Sequence, residues 1–369
     1  MERVETVVIS ANSIWNIANF RAGLVSGLAA NGYRVVVAAP GASGGPDQVD
    51  IAIDRSGLNP LRDALLMLAY RRLLGQVRPA AYLGFTIKPN IYGSIAARLT
   101  GIPSIPNVSG LGTAFLRGGG LAWFVGGLYR IAFRRCPVVF FQNPDDRDLF
   151  LARRIVAPNQ AKLVPGSGID LDRFAPVAGS EGAHPTFLLV ARLLGDKGVR
   201  EYAAAARLLK ARMPEVRCQL LGPLDPGNRT AISQAELEGW IAEDVIDYLG
   251  ELDDVRPAVA RATVIVLPSY REGLPRTLLE GAAMGKPLIA TDVPGCRQIV
   301  KEGVNGTLCA ARDADSLASA MTRMAALDPE RLGEMGRASR SIVQEQYSEA
   351  LVIAAYLDAL RTLPRHKAQ

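Results

Sequence analysis

Residues 264–292 read as a complete strand-helix-strand unit. The stretch runs VIVLPSYREGLPRTLLEGAAMGKPLIATD, with an apolar run of strand length, a glycine-containing loop, a helical segment, a Gly-Lys-Pro turn and a second apolar run. Two apolar strands joined by a helix are typical of parallel sheets covered by helices on both faces. We therefore expect an α/β fold with its functional loops at the carboxyl ends of the strands.

The junction between the loop and the helix of this unit suits an anion. Pro275 fits the first turn of a helix, and Gly273 lets a ligand approach the backbone. Free amides at that helix start would face a phosphate. Glu280 should lie about 7 Å along the helix from Pro275, whereas Glu272 precedes the turn. We expect Glu280 to be deep and to accept from ribose hydroxyls of an NDP-sugar, and Glu272 to be shallow and near the sugar.

Glutamates eight positions apart also occur by chance on solvated helices, so the motif needs context. The segment EGLPRTLLE resembles the E-x7-E motif of family 4 retaining glycosyltransferases with the GT-B fold. Such enzymes have two Rossmann-like, doubly wound domains that face each other across a cleft. The resemblance extends over nearly the whole chain. It implies donor-binding roles for Gly273, Leu274, Pro275, Arg276, Thr277 and Glu280.

The chain has 369 residues, which suggests two domains. A stretch rich in Pro, Gly, Ser and Ala follows residue 177, and the segment before it resembles the interdomain connection of the family. We expect an N-terminal, acceptor-side domain at 1–175 and a nucleotide-sugar domain at 184–347. The resemblance also implies that a C-terminal helix at about 348–369 packs back on the first domain.

The cysteines and the N-terminus bear on the compartment. Four cysteines show no C-x-x-C spacing, which argues against a zinc site and against a disulfide framework. The N-terminus has early acidic residues and a short apolar run, as expected of a core strand rather than a signal peptide. We expect a cytoplasmic protein with reduced thiols.

Positive charge is concentrated in the first half of the chain. Residues 1–175 contain 19 Lys and Arg against 11 Asp and Glu, a net charge of +8, while the remainder contains 23 against 25, a net charge of −2. An anionic partner is therefore expected for the first half: nucleic acid, lipid headgroups or a diphosphate-bearing acceptor. Nucleic acid is disfavoured because no known recognition signature stands out.

The first strand is followed by a polar segment. We expect strands at 6–10 and 34–40, a helix at 20–30, and a loop between the first strand and that helix. A tryptophan among small polar side chains can serve as a platform for a sugar, although Trp15 can equally cover the helix. The candidate acceptor-binding residues of this loop are Asn12, Ser13, Trp15 and Asn16.

Further acceptor candidates follow a predicted helix at 61–74. Lys88 and Asn90 flank Pro89 at a helix start, where an ammonium group can meet a phosphate, although a solvated lysine is an equal alternative. Residues 86–115 resemble a bacterial subgroup that extends polyprenyl-diphosphate-linked sugars. That resemblance implies a cleft-facing loop with Ser109, Gly110, Gly112 and Thr113.

Residues 118–136 combine aromatic and basic side chains. The apolar run is too short for the ~20 residues that span a bilayer. The segment suits either a membrane interface or an amphipathic helix in the core of the first domain, and we favour the interface. The candidate membrane-facing residues are Arg117, Trp123, Arg130, Arg134 and Arg135.

The second domain opens with a strand, Arg192 and, five residues later, Lys197. An arginine fork and a lysine point charge before a helix form a sensible clamp for a diphosphate, and they resemble the R-x4-K element of the family. Catalytic roles are implied for Arg192, Lys197 and Glu272. Gly222 ends a later strand, and the segment around Leu249, Gly250 and Glu251 resembles the one whose backbone recognises the base.

The chain departs from many relatives in its histidines, because His184 lies in the connector and His366 in the tail. The resemblance then implies same-face attack in which the donor phosphate takes the acceptor proton. D-x-D triplets at 146–148 and 170–172 lie at a helix start and in the connector, so we expect no cofactor and no catalytic metal. UDP is preferred over GDP from the subgroup resemblance alone.

Two alternatives to a transferase are disfavoured by the residues present. A UDP-sugar 2-epimerase with the same fold would need several acid and base side chains, which the shortage of histidines disfavours. A silent protein that binds a nucleotide-sugar or a membrane is disfavoured because Arg192, Lys197, Glu272 and Glu280 are all present. A transferase is the preferred hypothesis.

Overall fold

The computed structural model describes residues 4–42, 45–54, 59–110, 119–177 and 184–363. Contacts within the chain define two compact units. The first unit comprises Met1–Gly168 together with Glu349–Gln369, and the second comprises Ile169–Ser348.

The first unit alternates strands and helices. Its strands are β1 (Thr6–Ser10), β2 (Arg34–Ala38), β3 (Gln48–Val49), β4 (Ala81–Gly84), β5 (Asn107–Val108), β6 (Val139–Phe141) and β7 (Ala161–Leu163). Its helices include α1 (Ile14–Phe20), α2 (Ala22–Ala30), α3 (Pro60–Val77), a π-helical turn (Pro89–Gly93), α4 (Ser94–Leu99), α5 (Gly119–Phe133) and α6 (Pro144–Ala152). The C-terminal helix, labelled α14 (Glu349–Arg361), also belongs to this unit.

The strands of the first unit pair in parallel, in the orders β3-β2-β1-β4 and β5-β6-β7. Isolated bridges join Tyr82 to Ser104 and Phe85 to Asn107, so the two pieces continue one another. Successive side chains of a strand point to opposite faces. Val7 and Ile9 accordingly pack in the cluster that contains α2 and α14, whereas Val8 packs in the cluster that contains α3 and α4. The first unit is thus doubly wound.

The second unit repeats this plan. Its strands are β8 (Thr186–Val190), β9 (Arg217–Leu221), β10 (Asp247–Tyr248), β11 (Val264–Leu267), β12 (Leu288–Thr291) and β13 (Gly306–Cys309). Its helices include a 3₁₀ turn (Gly195–Lys197), α7 (Val199–Lys210), α8 (Gln234–Ala242), α9 (Arg256–Arg261), α10 (Arg276–Ala283), α11 (Cys296–Ile299), α12 (Ala314–Ala325) and α13 (Pro329–Gln346).

These six strands form one parallel sheet in the order β10-β9-β8-β11-β12-β13. Phe187 and Leu189 point into one buried cluster, and Leu188 points into the other. The strands therefore carry apolar residues on both faces, as parallel sheets between two helical layers do. The expected α/β architecture with two doubly wound units is confirmed.

The division between the units falls earlier than the expected boundary at residues 175–184. Ile169 donates its amide to the Tyr347 carbonyl at 2.9 Å, and the Arg340 guanidinium donates to the carbonyls of Leu171 and Phe174. These bonds attach the start of the connector to the second unit. The chain returns to the first unit at Glu349, where α14 packs against α2.

The segment after β1 is helical, and the expectation of a loop up to residue 20 is wrong. The Ser13 side chain accepts the Asn16 amide at 3.1 Å and caps α1, which begins at Ile14. A serine that supplies an oxygen to the first turn is a strong helix start. Polarity alone suggested a loop here, whereas the cap and the apolar Ile14 and Ile17 favour a helix.

Across the described ranges, each helix is either too short or too polar to cross a bilayer.

Candidate functional site

The carboxyl ends of β8 and β9 carry the first candidate residues of the second unit. Arg192 follows β8, and its Nη1 lies 2.9 Å from an Asp225 carboxylate oxygen, so this exposed arginine is held in an ion pair. Gly222 follows β9 with a φ of +145°, and a Cβ atom there would lie 1.9 Å from the Ala191 carbonyl oxygen. Only glycine fits this contact, which fixes the backbone next to Arg192.

Lys197 and Glu272 meet in one ion pair. The Lys197 Nζ atom lies 2.5 Å from Glu272 Oε1, with 27% and 13% of the two side chains exposed. The Tyr270 amide donates to the Asp196 carbonyl at 3.0 Å, and a Cβ atom on Gly198 would lie 2.1 Å from the Pro268 carbonyl. These backbone contacts hold the two loops together, so the side chains are positioned by both.

The helix of the E-x7-E segment begins one residue later than expected. Pro275 has a φ of −74° and a ψ of 120°, which makes it the cap residue, and helical geometry starts at Arg276. Arg276 Nε donates to Glu280 Oε1 at 2.7 Å. Burial raises the pKa of Glu280, and the Arg276 charge opposes that rise.

The expectation of one deep and one shallow carboxylate is wrong. Glu272 and Glu280 each expose 13% of their side chains. Glu272 is covered because the turn that contains Gly295 lies against its loop. A Cβ atom on Gly295 would lie 2.5 Å from the Gly273 carbonyl and 2.8 Å from that of Glu272. The position of a carboxylate along the helix axis therefore does not determine how deeply it is buried.

The remaining predicted donor-binding residues lie near the carboxyl edge of the sheet in the second unit. The Thr277 hydroxyl donates to the Val190 carbonyl at 3.0 Å, which ties α10 to the end of β8. The Gly222 amide donates to the Gly250 carbonyl at 2.8 Å. Leu249 is partly buried against the core, Glu251 is exposed, and Leu274 is partly buried.

The two D-x-D triplets have structural partners. Asp146 is buried, and its amide and carboxylate both bond to the Asn143 cap of α6. The Asp170 carboxylate accepts the amides of Asp172 and Arg173. These aspartates shape a helix start and a turn.

In the first unit, Lys88 pairs with a carboxylate. Its Nζ lies 2.7 Å from Asp63 Oδ1, and the Tyr92 hydroxyl donates to the other oxygen of Asp63 at 2.8 Å. The pair is largely buried, with 14% and 9% of the two side chains exposed. The solvated-lysine alternative is therefore wrong, and this lysine is held next to the π-helical turn.

Other predicted acceptor residues lie near the ends of β1 and β4. Asn90 is buried and donates to the Asn107 carbonyl at 2.7 Å, while its Oδ1 atom has no partner among the described residues. The Oδ1 atom of Asn16 is also buried and has no hydrogen-bond partner among the described residues. Trp15 is exposed and packs edge-on against Phe20.

The structure shows fewer contacts for the other candidate residues of the first unit. Asn12 follows β1, and Ser13 is used as the cap of α1. Ser109 and Gly110 are partly exposed, and Gly110 has a φ of +149°. Gly112, Thr113 and Arg117 lie outside the described residues.

Two residues at this end were missed by the sequence interpretation. Thr86 has a φ of +69°, and its buried hydroxyl has no partner among the residues described. Strained backbone of this kind concentrates at functional sites. Arg21 is buried, with its guanidinium 4.2 Å from the centre of the Phe85 ring. Neither has a local pattern that marks it, because both depend on contacts made in the fold.

Helix α5 has a buried face and an exposed face. Tyr129 and Phe133 are buried in the core, whereas Trp123 is 82% exposed. Arg130 donates to the carbonyls of Arg153 and Arg154. One face of α5 therefore belongs to the core, and the other presents an aromatic side chain to solvent.

Two family models match the chain. The model described as "Glycosyl transferase 4-like domain" matches residues 17–166, and the model described as "Glycosyl transferases group 1" matches residues 184–326. The matches together include most of both units.

Two bacterial proteins illustrate the similarity. The N,N'-diacetylbacillosaminyl-diphospho-undecaprenol alpha-1,3-N-acetylgalactosaminyltransferase of Campylobacter jejuni is 27% identical over 287 residues, which is 73% of each chain. The UDP-Gal:alpha-D-GlcNAc-diphosphoundecaprenol alpha-1,3-galactosyltransferase of Escherichia coli is 24% identical over 278 residues, which is 72% of this chain and 71% of the relative.

The fold is shared with a solved transferase. The sucrose-phosphate synthase from Thermosynechococcus elongatus superposes with a TM-score of 0.83, over 97% of this chain and 99% of the other, at 21% identity. At that identity the likeness concerns the fold. With its two matched domains and its GT-B fold, the chain belongs to the group 1 glycosyltransferases.

Proposed function

We propose that this glycosyltransferase moves a hexose or N-acetylhexosamine from a UDP-sugar to a polyprenyl-diphosphate-linked saccharide during the assembly of a surface polysaccharide or glycan. The observation that carries the proposal lies in the second unit. Two cations, Arg192 and Lys197, and two carboxylates, Glu272 and Glu280, follow strands of one parallel sheet at its carboxyl edge. Ligands of such sheets bind at that edge.

The leaving group in this reaction is a nucleoside diphosphate. Arg192 presents a guanidinium fork and Lys197 a point charge, which together would neutralise the charge that develops as the glycosidic bond breaks. Both are now paired with carboxylates, Asp225 and Glu272. A diphosphate would therefore compete with these carboxylates for the same cations.

The two glutamates take different roles in the proposal. Glu280 is assigned to the ribose hydroxyls, which its acceptor oxygens can bind. Glu272 is assigned to the transferred sugar, and its pairing with Lys197 holds it beside the cation for the diphosphate. Attack from the face of the leaving group, with the donor phosphate taking the acceptor proton, gives retention. We propose that the reaction needs no metal ion.

The acceptor is assigned to the first unit. Buried Oδ1 atoms of Asn16 and Asn90, which have no partner among the described residues, suit sugar hydroxyls. Two relatives named above act on undecaprenyl-diphosphate-linked sugars, which supports a lipid-linked acceptor. We place the enzyme at the cytoplasmic face of the membrane, attached through Trp123 of α5 together with Arg130, Arg134 and Arg135 at and after the end of that helix.

A transfer assay tests the proposal. Radiolabelled UDP- and GDP-sugars are incubated with a short-chain polyprenyl-diphosphate-sugar, with and without EDTA. We expect labelled lipid product from a UDP-sugar at a rate that EDTA leaves unchanged. Donor binding without turnover would favour a silent binder, and a changed configuration at C2 of the free UDP-sugar would favour an epimerase. Loss of transfer with EDTA would overturn the metal-independent mechanism.

A further inference from the structure

Helix α3 exposes a row of leucines that the sequence interpretation did not identify. Leu61, Leu65 and Leu68 are 77%, 65% and 51% exposed. At 100° per residue they fall within an arc of about 60°, and they span about 10 Å along the helix. The opposite side of α3 is anchored in the core by Leu66 and Tyr70, among other residues. The exposed row is thus fixed to a rigid element.

Arginines lie beside the leucine row. At 100° per residue Arg72 falls within the arc of the three leucines, Arg71 lies about 60° beyond its edge, and Arg78 follows the end of the helix. All three are exposed, and no carboxylate pairs with them among the described residues. The acidic residue of the helix is Asp63, which is buried and paired with Lys88. A helix with apolar and cationic side chains outward and no outward carboxylate matches the chemistry of an anionic lipid surface.

Exposed apolar residues continue on the neighbouring helices. Helix α4 packs against both α3 and α5. Leu99, at the end of α4, is 55% exposed, and Trp123 and Phe124 of α5 are also exposed. These helices cover one face of the sheet in the first unit, opposite the layer formed by α2 and α14.

We propose that α3 is a membrane-docking helix that inserts Leu61, Leu65 and Leu68 into the interface of an anionic leaflet, with Arg71 and Arg72 at the headgroups. This inference rests on the proposed function, because a lipid-linked acceptor brings the enzyme to the membrane. It adds a second apolar contact to that of α5. Two helices of one layer would then orient the first unit on the bilayer.

A site-specific label tests the inference. The four native cysteines are buried, so a cysteine introduced by Leu65→Cys can be labelled selectively with a polarity-sensitive dye. We expect its emission to shift to the blue with vesicles of phosphatidylcholine and phosphatidylglycerol. Leu208→Cys, on an exposed leucine of the second unit, is the matched control and should not shift. An unshifted label at position 65 on bound protein would overturn the inference.

Affinity gives an independent readout. L61S/L65S/L68S should weaken vesicle binding by about tenfold or more, because interfacial binding scales with buried apolar area. R71Q/R72Q should weaken it about fivefold per arginine on anionic vesicles. The control L208S/I241S changes exposed apolar residues of the second unit and should bind as wild type does. Equal affinity of the triple variant and this control would refute the docking role.

Other outcomes are distinguishable. If ultracentrifugation without lipid shows a wild-type dimer that L61S/L65S/L68S dissociates, the leucine row is a contact between two copies and the inference fails. If the wild type transfers sugar to a short-chain acceptor but does not bind anionic vesicles, the inference fails while the proposed function stands. If α3 binds to the vesicles but no sugar is transferred, the proposed function fails while the inference about α3 stands.

Discussion

Lys197 has a double role at the residue scale. Its ammonium group lies 2.5 Å from Glu272, so the cation assigned to the diphosphate also neutralises a largely buried carboxylate. Lys197→Ala should therefore lower kcat/KM by about 10²-fold or more, and Arg192→Ala should do the same. The measurement is steady-state transfer. Lys301→Ala, at an exposed lysine of the same unit, should leave the rate unchanged, and equal rates in all variants would remove the cation assignment.

Glu280 should make stability depend on pH. Burial raises its pKa above 4.5 in the folded chain, so the folded state holds this proton more tightly than the unfolded state. Stability is then highest below the unfolded pKa and falls as the pH rises through the window between the two values. Glu280→Gln has no ionisable group at this position, so it does not lose stability in this way as the pH rises. The midpoint of thermal unfolding of Glu280→Gln should rise relative to wild type as the pH is raised above the unfolded value of 4.5.

A constant difference between the two midpoints across that range would contradict the assigned shift. Nucleotide binding gives a second readout, since Glu280→Gln should weaken it if the carboxylate accepts from the ribose. Glu272→Ala should chiefly lower turnover. Unchanged binding in the first variant would leave only a structural role for Glu280, in its bond with Arg276.

At the scale of elements, one glycine fixes the contact between the loops after β8 and β9. Gly222→Ala would place a Cβ atom 1.9 Å from the Ala191 carbonyl and force the Arg192 backbone to move. We expect weaker donor binding, measured by calorimetry, and a lower unfolding midpoint. Gly239→Ala, in α8 where no atom lies within 4 Å of the new Cβ, is the matched control. Wild-type affinity in Gly222→Ala would show that this contact does not position the site.

Helix α5 gives a prediction for each of its faces. Tyr129→Ala removes a buried aromatic side chain and should cost about 3 to 5 kcal/mol of stability. Trp123→Ser should leave stability unchanged and weaken binding to anionic vesicles. R134Q/R135Q should also weaken vesicle binding. The effect should be larger at low salt than at high salt, because salt screens the attraction between arginine and the anionic surface. Retained vesicle binding in Trp123→Ser and in R134Q/R135Q at low salt would assign α5 to the core alone.

Much of this architecture was predictable from local pattern. Apolar runs and the turns between them gave the strands, and the R-x4-K and E-x7-E segments gave the cations and carboxylates of the second unit. The start of α1 was missed because a polar run hides the Ser13 cap. The depth of Glu272 was missed because Gly295 reaches it from a later turn. Both failures concern contacts rather than composition.

At the scale of the whole molecule, the proposed function assigns a different substrate to each unit. The second unit carries the cations and carboxylates assigned to the UDP-sugar. The first carries the positive charge, the exposed apolar helices and the polar atoms assigned to the acceptor. Counted over the two units, the net charge is +10 for the first, with 21 Lys and Arg against 11 Asp and Glu, and −4 for the second, with 21 against 25. A positive first unit favours the anionic membrane partner that we propose for it.

The most direct test of this account is the anomeric configuration of the product, determined by NMR after transfer from an α-linked UDP-sugar to a polyprenyl-diphosphate-linked saccharide. The wild-type chain should form an α-linked, lipid-bound product, and Lys197→Ala should form it about 10²-fold more slowly. A β-linked product would contradict the retaining mechanism. No transfer to the lipid-linked acceptor, or equal transfer by Lys197→Ala, would contradict the site assignment.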